Sequence, residues 1–155
     1  FPVRPVRPDD DALLAELFSN VTPDDLRFRF LSGQRSVRPE QIAAMTQIDY
    51  RRTMTFVALD PERSRAIAVA TLSADPDHQR AEVALTTRAD IKGRGVSWTL
   101  FDHVLRYAEA EGIARIESLE SADNHAALAM ERERGFSTRP CPDDPTLRIV
   151  SKVLR

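Results

Sequence analysis

The sequence predicts a single mixed α/β (α+β) domain over residues 1–155, on three observations. Between Asp9 and Gln47 apolar residues recur at helical spacing. From Thr53 to Thr87 the period becomes that of strands on short turns. A glycine-bearing stretch, Lys92-Gly93-Arg94-Gly95-Val96-Ser97, then joins an apolar strand to a long amphipathic helix. Helices on either side of an antiparallel meander give the mixed class.

Taken in order, Pro2 to Val6 reads as a short edge strand, where proline is tolerated. Asp9 or Asp10 caps a helix with Leu13, Leu14, Leu17 and Phe18 on one face. Thr22-Pro23-Asp24-Asp25 opens a second, with proline in the first turn and acid near the positive end. It carries Leu26, Phe28 and Phe30. A third runs from Pro39-Glu40 to about Gln47 through Ile42, Ala43 and Met45. Strands over Thr53–Leu59, Ala66–Ser73 and Ala81–Thr87 alternate with turns at Asp60-Pro61-Glu62-Arg63 and Asp75-Pro76-Asp77. The helix after the glycines uses Trp98, Leu100, Val104, Leu105 and Tyr107 and ends near Ala110, at Glu111-Gly112. Ala114–Leu119 is strand-like, and Asn124–Arg134 is a helix stopped by Gly135. Phe136–Thr138 and Thr146–Val153 close the sheet around an Arg139–Pro145 loop.

Bulk properties exclude several classes of function. With a net charge of −2 and no dominant Lys/Arg cluster, nucleic acid is not an expected partner. No apolar run approaches the roughly 20 residues that span a bilayer, and no signal peptide is evident, so no membrane association is expected. Cys141 is the only cysteine, which fits a reducing, cytoplasmic setting. His78, His103, His125 and Cys141 lack metal-ligand spacing, so no metal is expected. A start at Phe1 rather than Met fits a chain trimmed or cut from something larger.

The glycine stretch carries chemistry because of where it sits. Glycines at a strand-to-helix junction let backbone N–H groups converge on free space. The helix N-terminus adds about half a positive charge there, which suits a phosphate or pyrophosphate.

The order of elements resembles that of the GNAT superfamily of acyl-CoA-dependent N-acetyltransferases over essentially the whole chain. Lys92-Gly93-Arg94-Gly95-Val96-Ser97 is similar to its pyrophosphate signature, Q/R-x-x-G-x-G/A. Asn124-His125-Ala126-Ala127 through Gly135-Phe136 is similar to its asparagine-opened helix ending in Gly-Phe. Leu26–Ser32, Thr46–Tyr50, Ala81–Ala84 and Pro142–Pro145 resemble the acetyltransferase domain of bacterial protein lysine acetyltransferases. The resemblance implies a mostly antiparallel sheet of about six to seven strands with about four to five helices. It also implies a splay between the strands over Ala81–Thr87 and Ala114–Leu119 that forms the CoA cleft.

The resemblance assigns roles to single residues. Glu82 matches the glutamate regarded as general base. Leu85, Thr86 and Thr87 would meet the pantetheine arm through main-chain groups, with an N–H near Leu85 as oxyanion donor. Lys92, Gly93, Arg94, Gly95, Val96 and Ser97 would hold the pyrophosphate, and Asn124 would contact the arm or the reacting region. Tyr50 is a candidate at the acceptor cleft. Three positions depart from the pattern. Lys92 replaces Gln or Arg and keeps a donor and a charge without the planar geometry. Ser97 replaces Gly or Ala, with a hydroxyl able to cap the helix or reach a phosphate oxygen. Glu131 stands where many relatives carry a tyrosine thought to protonate the leaving thiolate.

Each assignment has a plainer counterpart. Glu82 shares a strand face with Ala84 and Thr86, and a salt bridge to Arg80 or Arg88 would account for it. Partial burial would instead suit it to taking a proton from an ammonium at neutral pH, directly or through a water. Asn124 is also a simple N-cap. Tyr50 and Trp98 read as packing, Arg94 and His103 as surface, and Cys141 has no base nearby in sequence.

The function expected is direct transfer of an acetyl group from acetyl-CoA, as cosubstrate, to a primary amine. A protein lysine is the acceptor the resemblance suggests, and a homodimer is compatible with it. The alternatives are a small-molecule amine acetyltransferase, a catalytically degenerate acyl-CoA sensor, or a domain that binds no CoA.

Overall fold

Local chemistry sets the helix starts and stops. Thr22 Oγ1 accepts from Asp25 N–H at 3.1 Å, and Pro23 follows at the first position. That begins α2 (Pro23–Phe30), after β1 (Val3–Pro5) and α1 (Asp11–Phe18). Asp10 precedes α1 but caps it with no side-chain bond. Its carboxylate instead holds the Arg4 guanidinium, at 2.7 and 3.1 Å, and Arg7 N–H at 2.6 Å. α3 (Pro39–Thr46) leads into the meander β2 (Thr53–Leu59), β3 (Ala66–Ala74) and β4 (Arg80–Thr87). Then come α4 (Val96–Ala110), β5 (Arg115–Ser121), α5 (His125–Glu133), β6 (Ser137–Cys141) and β7 (Asp144–Val153). The computed structural model describes residues 1–155.

The seven strands form one sheet in the order β1-β2-β3-β4-β5-β7-β6. Every neighbouring pair is antiparallel except β4 and β5, which run parallel. This is the expected architecture, with five helices. α4 and α5 cover one face, where Leu100, Val104 and Ala108 meet Ala70, Leu72 and Ile116. Leu14, Leu17, Ile42 and Met45 cover the other, over Val57 and Val69. No helix is long and apolar enough to cross a membrane.

The last hairpin differs from expectation. The Arg139–Pro145 segment is not a loop: β6 runs through Pro140 to Cys141, β7 begins at Asp144, and Pro142-Asp143 make the turn. Pro140 is tolerated because β6 is an edge strand, and the register shifts beside it. Pro145 lies before the stretch of β7 that pairs with β5, which begins at Leu147. Two residues of α4 also depart. Trp98 is 40% exposed instead of packed, with the Arg134 guanidinium over its ring at 4.1 Å. His103 is half-buried instead of on the surface, its ring edge-on to Phe56 at 4.7 Å. Burial, then the Arg106 charge, lowers its pKa.

Candidate active site

A cleft opens where β4 and β5 separate. The two strands pair only at Arg80↔Arg115 and Ala81↔Ile116. Two residues on, Val83 N–H donates to the Ser118 hydroxyl at 2.9 Å instead of to a β5 carbonyl. Past that point no pairing between them continues. Side chains and N–H groups alternate along a strand, so the Leu85 and Thr87 N–H groups point the way Val83 N–H does, into the gap. The cavity has a volume of about 910 Å³, in the range of small-molecule sites. Leu85 packs partly against the core, and Thr86 and Thr87 are buried, so what these residues present is main chain. Thr86 Oγ1 is buried without a hydrogen-bond partner in the chain.

One end of the cleft is a cradle formed by the glycine stretch before α4, a helix N-terminus of the kind that suits an anion. Gly93 and Gly95 have φ of +81° and +80° with open space where a Cβ would be, so conformation, not crowding, requires glycine. Gly95 is the N-cap of α4 and no side chain caps it. The first bond of the helix is Thr99 N–H to Gly95 C=O, at 3.1 Å. The N–H groups of Val96, Ser97 and Trp98 are therefore the free donors of this helix end. The Ser97 hydroxyl does not cap the helix. It bonds Thr87 Oγ1 at 2.8 Å, tying the end of β4 to the start of α4. Lys92 Nζ lies 2.7 Å from Asp25 Oδ2, so the lysine at the cradle is ion-paired to α2. Arg94 is exposed and outside the cavity lining, and the Val96 side chain is buried in the core. Of the stretch, Lys92, Gly93, Gly95 and Ser97 line the cavity.

Glu82 lines the cavity from β4, across from Ser73 on β3. It is exposed rather than partly buried, because it faces the cavity on the α2 side. Neither arginine that would account for it pairs with it. Arg80 lies 3.6 Å from Glu117, and Arg88, itself 4% exposed, holds both Glu16 oxygens, one at 2.7 Å. In the same wall as Glu82, α2 contributes Phe28 and Arg29, and its C-cap contributes Leu31. The Arg29 guanidinium sits 4.8 Å above the Phe30 ring with no acid partner, and burial lowers its pKa. Tyr50, the acceptor-cleft candidate, stands outside the cavity lining. Its φ is +60°, and its hydroxyl donates to Val6 C=O at 2.7 Å. Asn124 both lines the cavity and caps α5, its Oδ1 accepting from Ala127 N–H at 3.3 Å.

The sequence marks Glu131 only as a departure from the family pattern and does not single out its partner, Glu120. Glu131, on α5, is 4% exposed, lines the cavity, and leaves its Oε1 without a hydrogen-bond partner. Glu120 of β5 lies beside it and lines the same cavity. Burial, then repulsion from Glu120, then a hydrogen bond that only the protonated form can donate to Glu120, push the Glu131 pKa up to about 10. Burial also raises that of Glu120, against hydrogen bonds from Glu131 and Asn124. The signal was spacing: Glu131 follows Asn124 by two helical turns, and Glu120 follows Ser118 by one strand period.

Known proteins share this fold. The model of the acetyltransferase (GNAT) family matches residues 21–136. An acetyltransferase of Pseudomonas aeruginosa is 29% identical over 146 residues, covering 93% of this chain and 78% of that protein. The GNAT domain of Streptomyces lividans PAT superimposes with a TM-score of 0.88 at 19% identity, covering 97% of this chain and 89% of that one. Spermidine N-acetyltransferase from Vibrio cholerae, in complex with CoA and spermine, gives 0.78 at 16% identity over 99% and 95% of the two chains. The family match spans most of the sequence, including β4, the glycine cradle and α5, and so this chain belongs to the GNAT family of acetyltransferases, which N-acetylate with acetyl-CoA.

Proposed function

We propose that this protein transfers an acetyl group from acetyl-CoA directly to a primary amine, with Glu82 as general base. The observation that carries the reading is the early end of β4–β5 pairing, which leaves β4 N–H groups facing a cleft with a carboxylate at its edge. The residues fit a CoA. The free N–H groups of Val96, Ser97 and Trp98 suit its pyrophosphate. The Leu85 and Thr87 N–H groups suit the amides of the pantetheine arm, with Asn124 beside them. Acetyl-CoA supplies the acetyl group as an activated thioester.

Glu82, exposed at the cavity edge, takes the proton that an ammonium must lose before its nitrogen can attack. Such general base catalysis is worth roughly 10²–10⁴-fold. The Leu85 N–H stabilises the oxyanion that develops on the acetyl oxygen. No residue of the chain is acylated in this route, and the rest of the rate comes from positioning.

Among primary amines we propose a protein lysine side chain. The resemblance of Leu26–Ser32, Thr46–Tyr50 and Ala81–Ala84 to bacterial lysine acetyltransferases supports it. Arg29 supports it too, because an unpaired cation in the wall beside Glu82 disfavours a polycationic acceptor. The Lys92–Asp25 ion pair, which occupies the one lysine at the cradle, keeps a second reading in play, an acyl-CoA sensor without turnover.

Thermal shifts with acetyl-CoA, CoA and a nucleotide control, followed by CoA release on a panel of small amines, polyamines and lysine peptides, separate these readings. Ligand at 100 times Kd adds about 2.7 kcal/mol of stability. We expect a shift with both CoA species and release with lysine peptides. No shift rejects enzyme and sensor together, release with small amines alone moves the acceptor class, and a shift without release favours the sensor.

A further inference from the structure

We propose that Glu131, positioned by Glu120, is the acid that returns a proton to the departing CoA sulfur, an inference that rests on the transferase reading above. It begins from an anomaly of burial. A carboxyl with 4% of its surface exposed and one oxygen without a partner costs free energy if ionised. Nothing around it offers a compensating cation. Arg134, the C-cap of α5, is held by Asp102 of α4 at 2.7 and 2.9 Å and lies over Trp98. Arg139 of β6 is 3.8 Å from Glu117. Arg148 of β7, cross-strand from Glu120, gives its Nη1 to the Pro145 and Leu147 carbonyls. What faces Glu131 is a second carboxyl, Glu120. The pair is a like-charge pair in a partly dry site, and such pairs hold one proton between them.

The direction of the shifts agrees with this geometry. Burial and Glu120 keep Glu131 protonated through neutral pH, the residue lines the cleft, and its Oε1 is buried without a partner. A carboxyl in that state is a donor, which an ionised one is not. The reaction has one step that requires such a donor. The incoming ammonium loses a proton to Glu82. The nitrogen then bonds to the acetyl carbon, and the C–S bond breaks with its electron pair left on sulfur. The sulfur takes the Glu131 proton. The second proton of the amine leaves as the amide forms, and one proton from solvent restores Glu131. The sum is an ammonium and a thioester going to an amide, a thiol and one released proton. A free thiol ionises near 8.5, and burial in an apolar wall raises that value, so sulfur and acid are matched. Glu120 does not touch the sulfur in this scheme. It sets the proton occupancy of its neighbour.

The experiment compares wild type with Glu131→Gln, Glu131→Asp and Glu120→Gln, using whichever amine of the panel is acetylated. Acetyl-CoA affinity, kcat against pH and the infrared band of a protonated carboxyl are measured for each. We expect Glu131→Gln to bind acetyl-CoA as wild type does. Its kcat should fall by about 10²-fold, and it should lack the alkaline fall in rate and the carboxyl band. Glu131→Asp should recover part of the rate, and Glu120→Gln should move the alkaline fall to lower pH. A folded Glu131→Gln with wild-type kcat and pH profile overturns the assignment. So does a parallel loss of acetyl-CoA affinity and rate, or a wild type with no protonated carboxyl at pH 8. A wild type that binds acetyl-CoA but acetylates nothing overturns the transferase reading, and this inference with it. An unchanged Glu131→Gln in an active enzyme overturns this inference alone.

Discussion

Glu82 is the residue on which the proposed chemistry turns, and its surroundings make a sharp expectation possible. It is exposed at the cleft edge and neither Arg80 nor Arg88 pairs with it, so its removal breaks no ion pair. Glu82→Gln should therefore fold as wild type and bind acetyl-CoA unchanged, while kcat near neutral pH drops by about tenfold or more. Equal turnover in the two proteins would dismiss the base. Gly95 offers the opposite case. A Cβ there meets nothing within 4 Å, yet the φ of +80° is costly for any other residue. Gly95→Ala should lose about 1–2 kcal/mol of stability in urea unfolding and weaken acetyl-CoA binding, because relaxing that φ turns the helix-end N–H groups away. At this scale the glycines were legible, since backbone geometry selects the residue type directly. Tyr50 and Trp98 were not: an aromatic side chain serves a core, a turn or a cleft equally well, and only the tertiary neighbours decide.

Among elements, the junction of β4 with α4 matters most for the site. Thr87 and Ser97, ten positions apart, join the last residue of the strand to the second of the helix through a 2.8 Å hydroxyl bond. Ser97→Ala should cost about 1 kcal/mol and lower acetyl-CoA affinity, with loss of stability alone showing that the bond does not position the cradle. Element existence and order were readable from period, caps and turns, because those signals are local. The β6–β7 hairpin was misread for a local reason as well. Three prolines in Pro140–Pro145 look like a loop, and only the sheet edge at β6 and the late start of β5–β7 pairing make them compatible with strands. The Glu120–Glu131 contact joins β5 to α5. It was illegible because neither element alone reveals that the two carboxyls meet.

For the molecule as a whole, that contact predicts a pH dependence of folding. In the unfolded chain Glu131 ionises near 4.5, whereas the folded protein keeps its proton to about 10. Between those values the folded state binds more protons than the unfolded one, so stability is highest below the unfolded pKa and falls as pH rises toward the folded one. One proton corresponds to at most about 1.4 kcal/mol per pH unit. Urea midpoints measured from pH 5 to pH 9 should decline for wild type and decline less for Glu131→Gln, and superimposable curves would contradict the buried proton. The apolar core bears on stability in a different way. Leu72 is fully buried between the sheet and α4, and Leu72→Ala should cost about 2–5 kcal/mol with little change in that slope.

The Ser118 hydroxyl has a consequence for solubility. By taking the Val83 N–H, it ends the pairing of β4 with β5 and leaves an open sheet margin inside the molecule. Unpaired strand margins recruit stray strands, and proteins ordinarily blunt or cover them. Here a small molecule would be the cover. Starved of CoA, the protein should therefore coagulate more readily on warming, and turbidity during a heating ramp should fall as CoA is added.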